Sequence, residues 1–198
     1  MPAAAAGPLY RLDPQRSELR ILVYRAGPLA RFGHNHVIVS RDLAGEIRLA
    51  APESLAGATF DVSLPVAGLI VDEPAARLEE GAEFATQPTA GDIDGTRKNL
   101  LGPQVLDAAA FPLLRVRGTT ELLPAGLAAR ASFEVRGEAT ELSVPLSVTA
   151  EGDTLTISGR FNVSQAALGI APFSVGLGAL AVQDELGVRF RIVALGMH

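Results

Sequence analysis

Two histidines separated by one residue are the side chains of this sequence best suited to chemistry. His34 and His36 flank Asn35, and the third histidine, His198, is the last residue of the chain. On an extended strand, side chains two residues apart point to the same side, with α-carbons about 6.6 Å apart. The two imidazoles could therefore act on one ligand.

Three interpretations of the pair stay open. The imidazoles could bind a metal ion if Asp13, Asp42 or Glu46 supplied a third ligand from a neighbouring strand. They could instead donate hydrogen bonds to the polar head of a ligand, such as a quinone carbonyl, an amide or a pyrophosphate, with a charge that changes near neutral pH. In the third interpretation, one imidazole is exposed to solvent and the other is hydrogen-bonded to backbone near a turn.

The residues needed for several other functions are missing. The chain has no cysteine, which excludes disulfides, thiolate metal ligands and a cysteine nucleophile. No Gly-x-Ser-x-Gly turn presents a serine nucleophile. The net charge of −5 comes without a block of Lys and Arg residues, so we expect no nucleic-acid partner.

The histidines lie on a predicted strand. Residues 32–40 are rich in Val and Ile, and apolar and polar residues alternate over residues 43–49, which together predict a hairpin with its turn near residues 40–42. The head-group interpretation requires Phe32 and both histidines to face inward. Alternation leaves this orientation open, because both faces of the predicted strand carry apolar residues.

Alternation of apolar and polar residues recurs over most of the chain and predicts one all-β domain. Only residues 72–110 depart from it, with helix-forming residues at 73–80 and 94–101. The apolar strand faces must cover one another, as in a closed barrel or a sandwich. The predicted strands are 9–12, 18–25, 59–66, 114–117, 127–136, 141–148, 154–163 and 186–194.

Four large apolar residues on the predicted strand faces are candidate ligand contacts. A barrel of about eight strands can hold one small ligand, whereas a sandwich fills its core with its own side chains. The same residues therefore either line a cavity or fill a solid core. They are Phe60, Phe133, Leu146 and Phe161.

One apolar segment lies outside the predicted strands. Residues 168–182 contain Phe173 but are broken by Gly and Pro, so they could cap a barrel or touch a membrane or a partner. The sequence has no run of about 18 apolar residues, which a membrane-spanning helix would need.

Residues 1–8 are rich in Ala and Pro and are predicted to be disordered. They lack the basic and apolar regions of a secretory signal, and fit either a mature exported protein or a cytoplasmic start.

Five landmarks along the chain resemble, in order and spacing, those of the YceI-like family. They are Tyr-Arg-Leu-Asp at 10–13 with Ser17; residues 32–36 followed by Gly-Glu-Ile at 45–47; Val-Leu-Asp at 105–107 with Phe-Pro at 111–112; Val-Arg-Gly-Glu-Ala-Thr at 135–140 leading to Val-Pro-Leu at 144–146; and Ser-Gln-Ala-Ala-Leu-Gly-Ile at 164–170. The resemblance implies an eight-stranded antiparallel barrel of lipocalin-like shape over residues 9–198, with a short helical excursion between the central strands. It also implies a long isoprenoid, quinone-like or fatty amide chain inside, and export to the periplasm.

Two departures from the family pattern mark a divergent member. Residues 71–78 keep only a trace of it, and Ala167 and Leu168 stand where an acidic and an aromatic residue are expected.

We expect non-enzymatic binding or transport of a long apolar ligand, without a cofactor. A metal-binding protein or metal-dependent enzyme that uses His34 and His36 is the alternative, and a ligand-free interaction module is a third hypothesis. Transient membrane contact and a homodimer are compatible with the sequence. The predicted ligand-binding residues are Phe32, His34, His36, Phe60, Phe133, Leu146, Phe161 and Phe173.

Overall fold

The computed structural model describes residues 7–52 and 54–197. Over these residues the chain forms thirteen β-strands and two α-helices. In order they are β1 (Leu9–Leu12), β2 (Glu18–Ala26), β3 (His36–Ser40), β4 (Ala44–Arg48), β5 (Thr59–Pro65), β6 (Ile70–Val71), α1 (Pro74–Glu79), α2 (Ala90–Leu101), β7 (Leu113–Leu123), β8 (Gly126–Val135), β9 (Glu138–Pro145), β10 (Ser147–Glu151), β11 (Thr154–Ser164), β12 (Ser174–Val175) and β13 (Leu180–Gly196).

Eight of these strands form pairs, and the two members of each pair follow one another as segments of one longer, interrupted strand. β1 and β2 both pair with β13, β4 and β3 pair with β1 and β2, and β5 and β6 pair with β4 and β3. β9 and β10, separated by Leu146, pair with β8 and β11. Apart from β12, the described strands thus join into eight antiparallel lines: β1/β2, β3/β4, β5/β6, β7, β8, β9/β10, β11 and β13. The predicted antiparallel all-β fold is confirmed, and α1 and α2 form the helical excursion between β6 and β7.

The predicted hairpin with a turn near residues 40–42 is wrong. β3 pairs with β2 and β6, whereas β4 pairs with β1 and β5, so the chain runs on in the same direction from β3 to β4. The turn before β3 spans residues 27–35, and the strand starts at His36 rather than Phe32. Alternation identifies a strand but does not identify the strand with which it pairs. Here β1 and β2 lie end to end along β13, and β2 pairs with β3 while β1 pairs with β4.

The two faces of β3 pack against different groups of residues. Ile38 belongs to the main core cluster inside the curved sheet. Val37 and Val39 are fully buried on the outer side, where Ala76 and Phe84 cover them. Because side chains alternate along a strand, His36 lies on the same inward side as Ile38. Each of these fully buried aliphatic side chains contributes about 1.5–3 kcal/mol.

The ends of the chain lie largely outside the described residues. Residues 1–6, which hold most of the predicted disordered N-terminus, and His198 are among those not described. Gly7 is buried, and the Leu49 N–H donates a hydrogen bond of 3.0 Å to the Pro8 carbonyl. Within the described part of the chain, no helix is both long and apolar enough to cross a membrane.

Candidate ligand-binding cavity

A cavity of about 220 Å³ lies inside the curved sheet. Most of its lining comes from side chains of β2, β4, β5, β7, β8, β9, β10, β11 and β13. The lining residues that lie between these strands are Leu43, Leu49, Leu55, Ala58, Leu146 and Leu168. Apart from Arg115, Thr120 and Glu134, every lining residue is apolar. Apolar cavities of this order of size stay free of water and accept apolar guests. The interior is therefore suited to a hydrocarbon group.

The four strand residues predicted as ligand contacts all line this cavity. Phe60, Phe133, Leu146 and Phe161 face inward, yet each is only half-buried, because part of its surface is the cavity wall. The rings of Phe133 and Phe161 have centroids 5.8 Å apart, a spacing typical of aromatic pairs. Leu146 lies at the break between β9 and β10, where its N–H donates to the Leu127 carbonyl at 2.9 Å.

Two glycines, which have no side chain, leave space for two aromatic rings of the cavity lining. Phe60 is the cross-strand partner of Gly118, and Phe190 is the partner of Gly159. A Cβ at Gly118 would stand 2.8 Å from the Phe60 Cζ, and one at Gly159 would stand 2.6 Å from the Phe190 Cζ. Each ring thus occupies the space above a glycine. Sequence reasoning missed these glycines and Phe190, because their roles depend on strand register.

The three polar lining residues leave no free polar group for a ligand inside. The Thr120 hydroxyl donates to the Leu55 carbonyl. The guanidinium of Arg115 pairs with Asp61 at 3.1 Å, and the carboxylate of Glu134 pairs with a neighbouring arginine, both at exposed positions. The interior can therefore select a guest by length and shape, while a polar head must lie outside it.

His36 faces inward at one end of β3 but does not line the cavity. Its Nδ1 lies 2.6 Å from Oδ2 of Asp72. The other carboxylate oxygen of Asp72 accepts hydrogen bonds from the Val37 N–H at 2.9 Å and from Nη1 of Arg77 at 2.5 Å. Burial of Asp72 opposes its ionisation, but these hydrogen bonds and the nearby positive charges hold the pKa of Asp72 below its ordinary value.

Arg77 fastens the helical excursion to the start of β3. Its side chain is 1% exposed and donates to the carbonyls of Asn35 at 2.7 Å and Thr86 at 2.5 Å, besides pairing with Asp72. Asp72 itself has a φ of 55°, in the left-handed region that Asp tolerates better than most residues. The cluster of His36, Asp72 and Arg77 is thus a buried structural lock between β3 and α1.

His34 faces a different carboxylate. Its Nε2 lies 3.7 Å from Oδ2 of Asp92, whose side chain accepts hydrogen bonds from Thr89 at the start of α2. Those hydrogen bonds hold the pKa of Asp92 below its ordinary value. The rings of His34 and His36 are 6.3 Å apart between centroids. Across residues 7–52 and 54–197, no group of three or more His, Cys, Asp or Glu side chains is arranged to hold a metal. The described geometry therefore gives the metal hypothesis no support.

Phe32 and Phe173 lie outside the cavity lining. Phe32 is 62% exposed on the turn between β2 and β3, with the Arg31 guanidinium 4.6 Å from its ring centroid. Phe173 packs against the main core, and its carbonyl accepts a hydrogen bond from Val182. The structure thus brings Phe60, Phe133, Leu146 and Phe161 together in one cavity and leaves Phe32, His34, His36 and Phe173 outside its wall.

The family of the chain follows from a match over nearly its whole length, since the model of the YceI-like domain matches residues 10–194. The chain belongs to the YceI-like family. Its fold is similar to that of BcnA from Burkholderia cenocepacia, with a TM-score of 0.63 and 14% identity over 92% of this chain and 98% of the other. No curated protein matches this YceI-like chain significantly.

Two further solved structures share the fold. A polyisoprenoid-binding domain from Saccharophagus degradans, implicated in plant cell wall breakdown, has a TM-score of 0.60 and 13% identity over 95% of this chain and 98% of that domain. A YceI protein from Campylobacter jejuni has a TM-score of 0.53 and 11% identity over 79% of this chain and 82% of that protein. At these identities the likeness concerns the fold.

Proposed function

We propose that this YceI-like protein binds and carries a long apolar ligand, such as a polyisoprenoid, a quinone or a fatty amide, in its interior cavity without catalysing a reaction. The observation that carries the proposal is the cavity of about 220 Å³, whose lining is apolar apart from Arg115, Thr120 and Glu134. The fold similarity to a polyisoprenoid-binding domain supports the same class of ligand.

Burial of the ligand's tail would supply most of the affinity. Each buried methylene gains about 0.8 kcal/mol, so a segment of about ten carbons gains on the order of 8 kcal/mol before the costs of ordering it. Pockets for drug-sized ligands range over about 300–1,000 Å³. The cavity is smaller than these, which favours a narrow chain over a broad ring system.

The surroundings of the cavity support binding rather than catalysis. A general acid or base must come within hydrogen-bond reach of the reacting atom. The Thr120 hydroxyl is engaged by backbone, and His36 is held by Asp72 in the buried lock outside the lining. No nucleophile or base among the described lining residues is therefore placed to act on a guest.

We also propose that the protein acts in the periplasm, the compartment usual for YceI-like proteins. Fractionation of cells that express the complete gene product tests this. Recovery of the protein with cytoplasmic markers would contradict it.

Titration with an apolar fluorescent probe tests ligand binding directly. Val116 lines the cavity, whereas Thr119 on the same strand is exposed on the outer face, so the two positions form a matched pair. Val116→Phe should fill the cavity and weaken probe binding at least about tenfold, since it displaces several methylenes of the guest. Thr119→Phe, which adds a ring outside, should bind the probe like the wild type. Equal affinities in all three proteins would contradict the proposal.

A further inference from the structure

Two neighbouring turns meet at one end of the molecule and present apolar side chains to solvent. One turn follows β2, and the other connects β12 to β13. The Leu29 N–H donates to the Ala179 carbonyl at 2.9 Å, which joins the two turns. The four exposed apolar residues of these turns, which we call the apolar tip, are Leu29, Phe32, Val175 and Leu177.

Leu177 stands at the most prominent position of the apolar tip. Its side chain is fully exposed, and its φ of 55° is in the left-handed region, between Gly176 and Gly178 that also have positive φ. Turns usually place Gly, Asn or Asp at such positions, because a branched apolar residue there is strained and gains no contact within the chain. Leu177 is therefore held away from the body of the protein, where it can reach an external apolar phase.

The two turns that form the apolar tip carry only positive charge, although the whole chain carries −5. Residues 171–182 contain no charged side chain, and Arg31 is the only charged residue of 26–33. The Arg31 guanidinium lies over the Phe32 ring, and Arg25 flanks the turn by donating to the Gly33 carbonyl at 2.8 Å. Protruding apolar residues beside arginines suit the interface of an anionic bilayer. A protein interface commonly uses about 20–30 residues a side, far more than this tip offers.

The apolar tip is continuous in sequence with the cavity wall. Leu168 lines the cavity, Ile170 and Phe173 pack in the core, and Val175 begins the tip. One short segment thus leads from the interior to the exposed end. An apolar chain that leaves a bilayer at this end meets apolar side chains along that segment.

We propose that the apolar tip docks on an anionic lipid bilayer, with Phe32 and Leu177 inserted among the acyl chains and Arg31 in contact with lipid phosphates. This inference rests on the proposed function for its purpose, since the bilayer would be the source or destination of the cavity's ligand. Docking itself needs no ligand in the cavity, so the two ideas can fail separately.

Cosedimentation with vesicles of phosphatidylcholine, with and without phosphatidylglycerol, tests the docking. We expect binding to the anionic vesicles, and roughly tenfold weaker partition for Leu177→Ser and for Phe32→Ser because each loses the burial of one large apolar side chain. Arg31→Gln should weaken binding to anionic vesicles only, by about fivefold. Leu122, 73% exposed at the opposite end of the sheet, provides the control, and Leu122→Ser should bind like the wild type.

The outcomes separate docking from ligand binding. Wild-type protein that stays in the supernatant with both kinds of vesicle would overturn the docking proposal, as would an equal loss of binding in Leu122→Ser and Leu177→Ser. Probe binding in free solution should be the same for Leu177→Ser and wild type, because residue 177 does not line the cavity. Wild-type protein that binds vesicles but no probe would overturn the proposed function and leave docking supported.

Discussion

The ring of Phe190 occupies the space directly above Gly159, its cross-strand partner, where a Cβ would stand 2.6 Å from the ring. Gly159→Ala should therefore push this ring toward the cavity and add a close contact with the Pro145 carbonyl, 2.8 Å from the added Cβ. We expect a loss of about 1–3 kcal/mol in the free energy of unfolding, together with weaker probe binding. Urea unfolding and probe titration of the variant check this, and unchanged values of both would contradict the assigned role of Gly159.

The buried lock provides a second prediction. Asp72→Asn keeps a side chain that tolerates the left-handed backbone but leaves the buried Arg77 without its counter-charge. We expect a loss of about 3–5 kcal/mol in the free energy of unfolding, the usual cost of breaking a buried pair. Arg41→Gln, which removes two more exposed pairs, with Glu18 and Glu73, should cost less than about 1 kcal/mol. Similar unfolding midpoints for the two variants in urea would show that Asp72 and Arg77 do not form a lock.

The same lock predicts a pH dependence of stability. The pKa of Asp72 is lowered in the folded protein from an ordinary value of 3.8, so its contribution is fully present above that value and is lost as pH falls through the folded pKa. We expect the urea concentration at the unfolding midpoint of the wild type to decrease as the pH is lowered below about 4. The midpoint of Asp72→Asn should decrease less steeply over the same pH range. Midpoints measured at a series of pH values test this. Parallel curves for the two proteins would assign the acid sensitivity to other carboxylates, such as Asp92 and Asp184, whose pKa values are also lowered.

Removal of the ligand should lower thermal stability. A ligand that binds only the folded state adds about 2.7 kcal/mol when its concentration is one hundred times its Kd. Protein extracted with organic solvent and refolded should therefore melt at a lower temperature than protein as purified, and a long-chain isoprenoid alcohol should restore the difference. Val116→Phe should melt at the same temperature before and after extraction. A wild-type melting temperature that responds to neither treatment would contradict an interior ligand.

Alternation is sufficient to place residues on the apolar face of one strand, but it leaves open whether that face lines a cavity or fills a solid core. Phe60, Phe133 and Phe161 were placed on apolar faces from sequence alone, and the structure puts those faces around a cavity. Alternation does not predict strand neighbours, which is why β3 and β4 are expected to form a hairpin although they pair with different strands. The Phe–Gly pairs of the lining were hidden for the same reason.

The surroundings of the histidines lay beyond sequence reasoning for a different physical reason. Asp72 meets His36 across 36 positions of sequence because β6, which precedes Asp72, pairs with β3, and alternation does not predict that pairing. Phe32 and His34 precede the strand and lie in a turn, where a period of two has no meaning. In the structure His34 therefore faces Asp92, whereas His36 faces Asp72.

The central claim, an apolar ligand inside the sheet, is tested most directly by native mass spectrometry of the protein purified without detergent. We predict a bound species of defined mass that organic solvent removes, that Thr119→Phe retains, and that Val116→Phe lacks. Wild-type protein at its bare polypeptide mass, which also binds no added long-chain isoprenoid, quinone or fatty amide, would contradict the claim.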